Sequence, residues 1–396
     1  MSEIAIVGGV YHERCIWPEW DQIFGSGGRA AAALSSHIER VTLHAYARED
    51  VRNAFNACAT VYKFDFKPVD SEDAISFEYV HSMSSPVIQP SIGRIRINEP
   101  IAVRGDVVLR FGMLEGSGLI DADWCVYDPQ SAFNPTPFHE NGSVARHLAV
   151  VANRSEILAM TRGQDANEAA EGLLQRGAEV VVVKSGPAGA FVVTGQGRFH
   201  VPAFRTQQVW TIGSGDVFAA IFAARWAVHK EDPVRAAETA SRAVANYAEM
   251  MALPSPLPES LFKHPRVEAV TKPGKVYLAG PFFTLGQRWL VDEARRSLSE
   301  LGLEVFSPVH DVGPGPAEVV CPADIEALKS CDRVFALLDG SDAGTVFEVG
   351  FARSRDIPVY ALAQSVADEQ LKMAVGSGCK IFGDFVTALH HTAWLA

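Results

Sequence analysis

Along the chain, hydrophobic and polar positions follow two periods. Short apolar runs such as Glu179 to Lys184 have the length and β-branched content of buried strands, whereas 217–228 and 235–251 space their apolar residues as amphipathic helices do. The alternation stops at Leu253-Pro-Ser-Pro-Leu-Pro-Glu, where three prolines in five residues forbid a continued helix, and a polar stretch then runs to Lys272-Pro-Gly. Beyond it the pattern returns on a smaller scale: strand 275–279, helix 287–301, strand 303–306, helix 323–330, strand 332–338, helix 346–354 and strand 357–362. Strands alternating with helices predict parallel sheets covered on both faces, with ligand sites at the carboxyl ends of the strands. The expectation is two α/β domains, 1–262 and 274–396, joined by a linker at 263–273, without internal repeats.

Length supports the division, since 396 residues exceed what one core usually reaches. An apolar share of 48% with 21% charged residues is that of a soluble globular chain. The net charge of −12 argues against nucleic acid as the main partner, because phosphate backbones require clustered Lys and Arg, yet it leaves phosphorylated small molecules open. Six scattered cysteines form no CxxC pair and no zinc spacing, and they read as the reduced thiols of a cytoplasmic protein. The opening MSEIAIVGGV enters an apolar strand without a basic leader, and no apolar run reaches membrane-spanning length, so neither secretion nor a membrane partner is expected.

Candidate chemistry concentrates where strands turn into helices. Thr211-Ile-Gly-Ser-Gly-Asp216 leads directly into the helical run from Val217. A glycine turn opening a helix offers backbone N–H groups and the positive end of the helix dipole to an anion. Asp216, at the mouth of that turn, suits a base that takes the proton of an attacking hydroxyl during phosphoryl transfer. A tight turn with Asp216 as a helix cap fits the same residues equally well. Asn153-Arg-Ser-Glu156 reads as a capping box after a strand at 148–152. Val180 onward gives a strand, the turn Lys184-Ser-Gly186 and a second strand, and Gly25-Ser-Gly-Gly28 is another glycine turn opening a helix.

In this order the four segments resemble the ribokinase-like (PfkB) carbohydrate kinases over about residues 1–262. The resemblance implies an α/β/α sandwich that uses ATP and Mg²⁺. It assigns Gly213, Ser214 and Gly215 to an anion hole and Asp216 to the catalytic base. Asn153 and Glu156 would organise Mg²⁺ indirectly, Lys184 and Gly186 would line the nucleotide site, and Gly27 and Gly28 would face the sugar. One departure stands out: family members carry an Asp soon after the first strand for the sugar hydroxyls, where this chain has Val10-Tyr-His-Glu-Arg-Cys15.

In the C-terminal part, Leu337-Leu-Asp-Gly-Ser-Asp-Ala-Gly-Thr-Val-Phe-Glu348 runs from an apolar strand through a polar loop into a helix. Thr345 with Glu348 forms a capping-box pattern, and Asp339 and Asp342 suit turns, which accounts for all of them without chemistry. The same carboxylates suit N-glycosidic cleavage, in which one attacks or stabilises the anomeric carbon and another acid assists the departing base. Asp324 is a further candidate, also explicable as a helix-end charge. His310-Asp311 and His390-His391 have no partner at metal-ligand spacing.

Tyr277-Leu-Ala-Gly-Pro-Phe-Phe283, Glu304-Val-Phe-Ser-Pro308, Asp324 and the run 339–352 together resemble the nucleoside 2-deoxyribosyltransferases over nearly all of 274–396. The resemblance implies a flavodoxin-like, Rossmann-like parallel sheet. In it Glu348 is the nucleophile, Tyr277 orients that carboxylate, Asp324 and Asp342 contact the base and assist its departure, and Gly280 and Pro281 shape the pocket floor. It also implies a homo-oligomer, because such sites are completed by a neighbouring subunit through an Asn-x-Met element. Met373 matches that element, but Leu371 replaces its Asn, which leaves the 5′-group preference open, as well as transfer against hydrolysis. The joint expectation is a bifunctional enzyme of nucleoside or nucleotide metabolism acting on small-molecule sugars, nucleosides or nucleotides. Two rivals are a nucleotide-sensing regulator built on degenerate enzyme folds and a kinase whose C-terminal domain only assembles oligomers.

Overall fold

The computed structural model describes residues 2–130 and 134–394. The chain forms two compact units: residues up to Thr206 together with Trp210–Ala269, and Gln207–Val209 together with Val270 onward.

In the first unit seven strands run parallel in the spatial order Asp65–Asp70, Arg40–Ala47, Glu3–Val7, Ile101–Phe111, Gly118–Asp128, Val144–Asn153 and Val180–Lys184. The hairpin of Ala190–Thr194 and Gly197–Val201 extends the sheet antiparallel at one edge. Side chains alternate between two cores. Val180 and Val182 pack with helices Gly25–Leu34, Ser214–Phe222 and Pro233–Met250, whereas Val181 and Val183 pack with Arg154–Thr161 and Ala166–Gln175. A strand buried on both faces must be apolar throughout, and the Val180–Val183 run has that composition. A second sheet of four short strands, in the order Trp20–Ile23, His12–Cys15, Ser76–Tyr79 and Val87–Gln89, has its own small core of Tyr11, Ile75 and Ile95.

In the second unit five parallel strands stand in the order Glu304–Phe306, Lys275–Ala279, Arg333–Leu337, Val359–Leu362 and Lys380–Phe382. Numbered along the chain this is 2-1-3-4-5, the flavodoxin-like order, whose switch point lies between the first and third strands. Helices Ala317–Lys329 and Ala343–Arg353 cover one face, with Leu328, Val349 and Ala352 against Tyr277, Val334 and Ala336. Phe335 meets Phe385 of helix Phe385–Trp394 on the other face.

Several boundaries differ from the sequence expectation. The helix expected at 323–330 starts at Ala317 and holds Pro322 in its interior. The helix expected from 217 starts at Ser214 and ends in a π-helical turn at Ala223–Val228. Part of the presumed linker is ordered with the first unit: Glu268–Ala269 pairs with Ala203–Phe204. Helix Asp368–Gly376, strand Lys380–Phe382 and helix Phe385–Trp394 complete the second unit beyond the predicted elements. No described helix is long and apolar enough to cross a membrane, and none of the six cysteines, all among the described residues, is in a disulfide.

Candidate active sites

Helix Ser214–Phe222 begins at Gly213, whose φ of 78° lies in the left-handed region, and no side chain caps it. The Ser214 amide donates to the Thr211 carbonyl at 3.1 Å, which leaves the Gly215 and Asp216 amides of the first turn for a ligand or water. Gly213 has a second reason to be glycine, since a Cβ there would stand 2.1 Å from Nε of Arg29. Gly215 leaves room for Lys184, whose Nζ would lie 3.4 Å from a Cβ at that position. Lys184 donates to Asp128 at 2.6 Å, and the Asp128 side chain is fully buried. Burial pushes the Asp128 carboxyl up, and the Lys184 ammonium opposes that shift.

Gly213, Lys184 and Asp128 line a cavity of about 370 Å³ together with Glu13, Arg29, Gln130, Glu156 and Asp216, whereas Ser214 and Gly215 do not line it. Asp216 accepts a hydrogen bond from Arg29 Nη1 at 2.8 Å on one oxygen and one from Gln130 Nε2 on the other. Arg29, only 1% exposed, also donates through Nε to the Tyr247 hydroxyl at 3.0 Å and through both Nη atoms to Glu13. Burial alone works against the guanidinium charge, but Glu13, Tyr247 and Asp216 together hold Arg29 well above its usual value. Burial raises the Glu13 carboxyl, with Arg29 opposing.

The other kinase-side residues divide. Asn153 and Glu156 form the full capping box: Asn153 Oδ1 accepts from the Glu156 amide at 2.9 Å, and Glu156 Oε2 accepts from the Asn153 amide at 2.8 Å. Glu156 also reaches the cavity wall, whereas Gly186 does not line it. Gly27 and Gly28, expected to face a sugar, are instead packed into the core. A Cβ on Gly27 would meet the Gly8 backbone at 2.8 Å, and one on Gly28 would meet Phe55 at 2.7 Å. Gly25, Ser26 and Arg29 of the same turn line the cavity in their place. Glu13, Arg29, Gln130, Asp128 and Tyr247 escaped the sequence reading. The available signal was a lone charge, Arg29, between a glycine turn and four alanines.

In the second unit Tyr277, on the first strand, donates its hydroxyl to Glu348 Oε1 at 2.6 Å. The capping-box expectation for Glu348 does not hold. The cap of helix Ala343–Arg353 is Asp342, whose Oδ2 accepts from the Thr345 amide at 2.8 Å and the Thr345 hydroxyl at 2.9 Å. Glu348 is therefore free to point at the sheet. Burial pushes its carboxyl up to about 7; the Tyr277 hydrogen bond opposes this, and Asp324 and Asp342 add to it. Asp324 is itself raised by burial, and its Oδ1 is buried with no hydrogen-bond partner. Asp339 ties down the loop after the fourth strand, accepting from the Gln364 and Ser365 amides. Gly280 packs on Leu337, where a Cβ would stand 3.0 Å away, and Pro281 is buried beside it. Met373 is 84% exposed and lines a separate apolar groove of about 570 Å³ with Leu371, apart from the Glu348 cluster.

Among the described residues no group of three or more His, Cys, Asp or Glu side chains could hold a metal ion. Asn153 is committed to its cap and Asp128 to Lys184, so the side chains present do not build a Mg²⁺ site of their own.

The sandwich of the first unit and the parallel sheet of the second are two α/β folds, each with acidic side chains at strand-to-helix junctions. The model of the pfkB family carbohydrate kinases matches residues 144–255, and that of the nucleoside 2-deoxyribosyltransferases matches residues 276–379. The chain thus joins a ribokinase-like pfkB domain to a nucleoside 2-deoxyribosyltransferase domain, both from enzyme families. Among solved structures it is similar to ribokinase from Thermotoga maritima, at 16% identity and a TM-score of 0.48 over 67% of this chain and 100% of that one. Fructokinase from Vibrio cholerae O395, in a fructose-, ADP- and calcium-bound form, matches at 15% identity and a TM-score of 0.49 over 66% of this chain and 98% of that one. No curated protein matches the chain.

Proposed function

We propose that the chain is a cytoplasmic bifunctional enzyme of nucleoside metabolism. Its second unit cleaves the N-glycosidic bond of a nucleoside or nucleotide through Glu348, and its first unit passes a phosphoryl group from ATP to a sugar or nucleoside hydroxyl through Asp216. The observation that carries the reading is the Tyr277–Glu348 contact beside the unpartnered Asp324 oxygen. Three acidic groups are held near one another, and their surroundings separate their roles. Asp342 is occupied as a helix cap, Glu348 is oriented by a phenol, and Asp324 is held toward its protonated form by burial.

In the proposed reaction a Glu348 oxygen attacks the anomeric carbon while the bond to the base nitrogen breaks and its electrons leave on the base. Asp324 supplies the proton that the departing base requires. The Tyr277 hydroxyl keeps the attacking carboxylate in place, and water or a second base then takes the sugar from Glu348. In the first unit the Gly213–Gly215 turn and Lys184 suit the phosphates of ATP, and Asp216 takes the acceptor proton. The exposed apolar side chains Val346, Phe347 and Met373 support assembly of the second unit into a homo-oligomer.

The engagement of both Asp216 oxygens by Arg29 and Gln130 favours one second reading, a first unit that binds nucleotide without transferring its phosphoryl group. Incubating the protein with a nucleoside panel, with and without Mg-ATP, and separating the products by chromatography tests both halves. Free base is expected from the native protein and not from Glu348→Gln, and ATP consumption that depends on an acceptor is expected only while Asp216 is present. Base release that persists in Glu348→Gln would refute the first half.

A further inference from the structure

We infer that Arg29 is a positioning residue for phosphoryl transfer in the first unit: its buried guanidinium fixes one oxygen of Asp216 and backs the glycine turn, so that the base and the anion cradle keep one geometry. This deepens the reading of Asp216 as the base and rests on it. Four elements meet at the guanidinium. Glu13 comes from strand His12–Cys15 of the small sheet, Arg29 from helix Gly25–Leu34, Asp216 from helix Ser214–Phe222 and Tyr247 from helix Pro233–Met250. Arg29 donates through Nε to the Tyr247 hydroxyl, and that hydroxyl in turn donates to the carbonyl of Ile212 at 3.1 Å, one residue before Gly213. A Cβ on Gly213 would stand 2.1 Å from the same Nε, so the turn lies directly on the guanidinium. The Phe24 ring, 5.5 Å from Cζ of Arg29, closes another side.

Stability alone gives no reason for this charge, because apolar packing of equal volume serves a buried site as well as an ion pair does, or better. The guanidinium is held well above its usual value, so it exchanges no proton and can only hold and orient. Its contacts with the two carboxylates are unequal. Both oxygens of Glu13 are engaged by Arg29, whereas Asp216 meets it through one oxygen at 2.8 Å. The second oxygen of Asp216 meets the neutral amide of Gln130, and both residues line the cavity. This is the arrangement in which a third group orients a general base and leaves it one oxygen for the proton. In the transfer the acceptor oxygen bonds to the γ-phosphorus of ATP and the bond to the bridging oxygen breaks, its electrons leaving on ADP. The hydroxyl proton passes to the Asp216 oxygen that Gln130 vacates. Asp216 is then neutral, and Glu13 remains as the counter-ion of Arg29, so the guanidinium need not move. One cation between two carboxylates suits that sequence, since a single carboxylate would leave the buried cation unpaired at the moment of transfer.

The test uses the full chain carrying Glu348→Gln, so that nucleoside acceptors are not consumed, and follows Mg-ATP-dependent phosphorylation of thymidine, adenosine, inosine, ribose and fructose. Arg29→Met should lower kcat for the best acceptor by about 10²-fold, the scale of a misplaced reacting group, with KM for ATP moved by less than about threefold. The deciding readout is a double-variant cycle with Asp216→Asn. A group that acts through Asp216 has nothing left to position once that base is gone, so Arg29→Met should cost less than about twofold on the Asp216→Asn background. A merely structural role would cost the same factor on both backgrounds. That result, or an Arg29→Met variant as fast as its parent, overturns the inference while leaving Asp216 as base. Should Arg29→Met not fold, shown by loss of a cooperative thermal transition, Arg29→Lys keeps the charge but not the two-pronged contact, and it takes the same place in the cycle with an expected loss of about tenfold. Phosphorylation that survives Asp216→Asn unchanged, or no phosphorylation of any acceptor by the parent, refutes the Asp216 reading and the inference with it.

Discussion

Replacing Tyr277 by Phe deletes one oxygen and leaves the ring against Phe306, 5.6 Å away between centroids. The deleted group is the donor of the 2.6 Å hydrogen bond to Glu348. Burial holds the Glu348 carboxyl up at about 7, and this hydrogen bond is what opposes the shift. Tyr277 itself is pushed far above its ordinary value, first by burial and then by the neighbouring Glu348 charge, so it stays a neutral donor over any practical assay range. A hydrogen bond to a charged group is worth about 1.5–3 kcal/mol, part of which the protonated carboxyl retains. At about 1.4 kcal/mol per unit, its loss moves Glu348 up by about one unit, to about 8. A nucleophilic carboxylate acts in its ionised form. Base release should therefore rise with pH through about 7 in the native protein and through about 8 in the variant. At pH 7 the ionised fraction would fall from about a half to about a tenth, a roughly fivefold loss that vanishes by about pH 9. Initial rates of base release, measured by chromatography from about pH 5.5 to 9.5, give both limbs directly. A loss of equal size at every pH would refute the reasoning, because it would mean that Tyr277 acts on something other than the ionisation of Glu348.

Further outcomes follow from the same geometry. Asp324→Asn keeps the shape but removes the proton source, and base release should fall by about 10²- to 10⁴-fold, most for bases that leave poorly. Asp216→Asn should lower acceptor phosphorylation by a similar factor while leaving base release intact, measured side by side on one preparation. Lys184→Met strands the fully buried Asp128 without its counter-ion, at a cost of about 3–5 kcal/mol, read as an earlier denaturant midpoint than that of the native protein. Because folding raises Glu348 above its ordinary 4.5, the folded state holds that proton more tightly. Stability should therefore decline as pH rises from about 4.5 to about 7, and Glu348→Gln should flatten that slope in urea titrations.

Periodic signals were the legible part of this chain. The parallel-strand runs, the proline break and the order of junction motifs could all be read because each depends on residues close in sequence. The local pattern misled where two answers fit. Thr345 and Glu348 satisfy a capping box in sequence, but Asp342 caps the helix, and Glu348 instead meets Tyr277, 71 residues away on strand Lys275–Ala279. The Arg29 network was invisible for the same reason, since its carboxylate partners lie 16 and 187 residues distant. Gly27 and Gly28 show that a glycine turn can exist for close helix-to-strand packing alone. The small sheet went unpredicted because its strands are short and partly exposed, as in Trp20–Ile23, and carry no clear alternation.

The most direct test of the central claim is a search for sugar covalently bound to Glu348. The protein would be mixed with a deoxynucleoside, quenched in acid within the first turnovers and digested for mass spectrometry. A pentosyl adduct is expected on the peptide that contains Glu348, absent from Glu348→Gln. Rapid base release with no adduct on that peptide at any quench time, or an adduct on a different carboxylate, would contradict it.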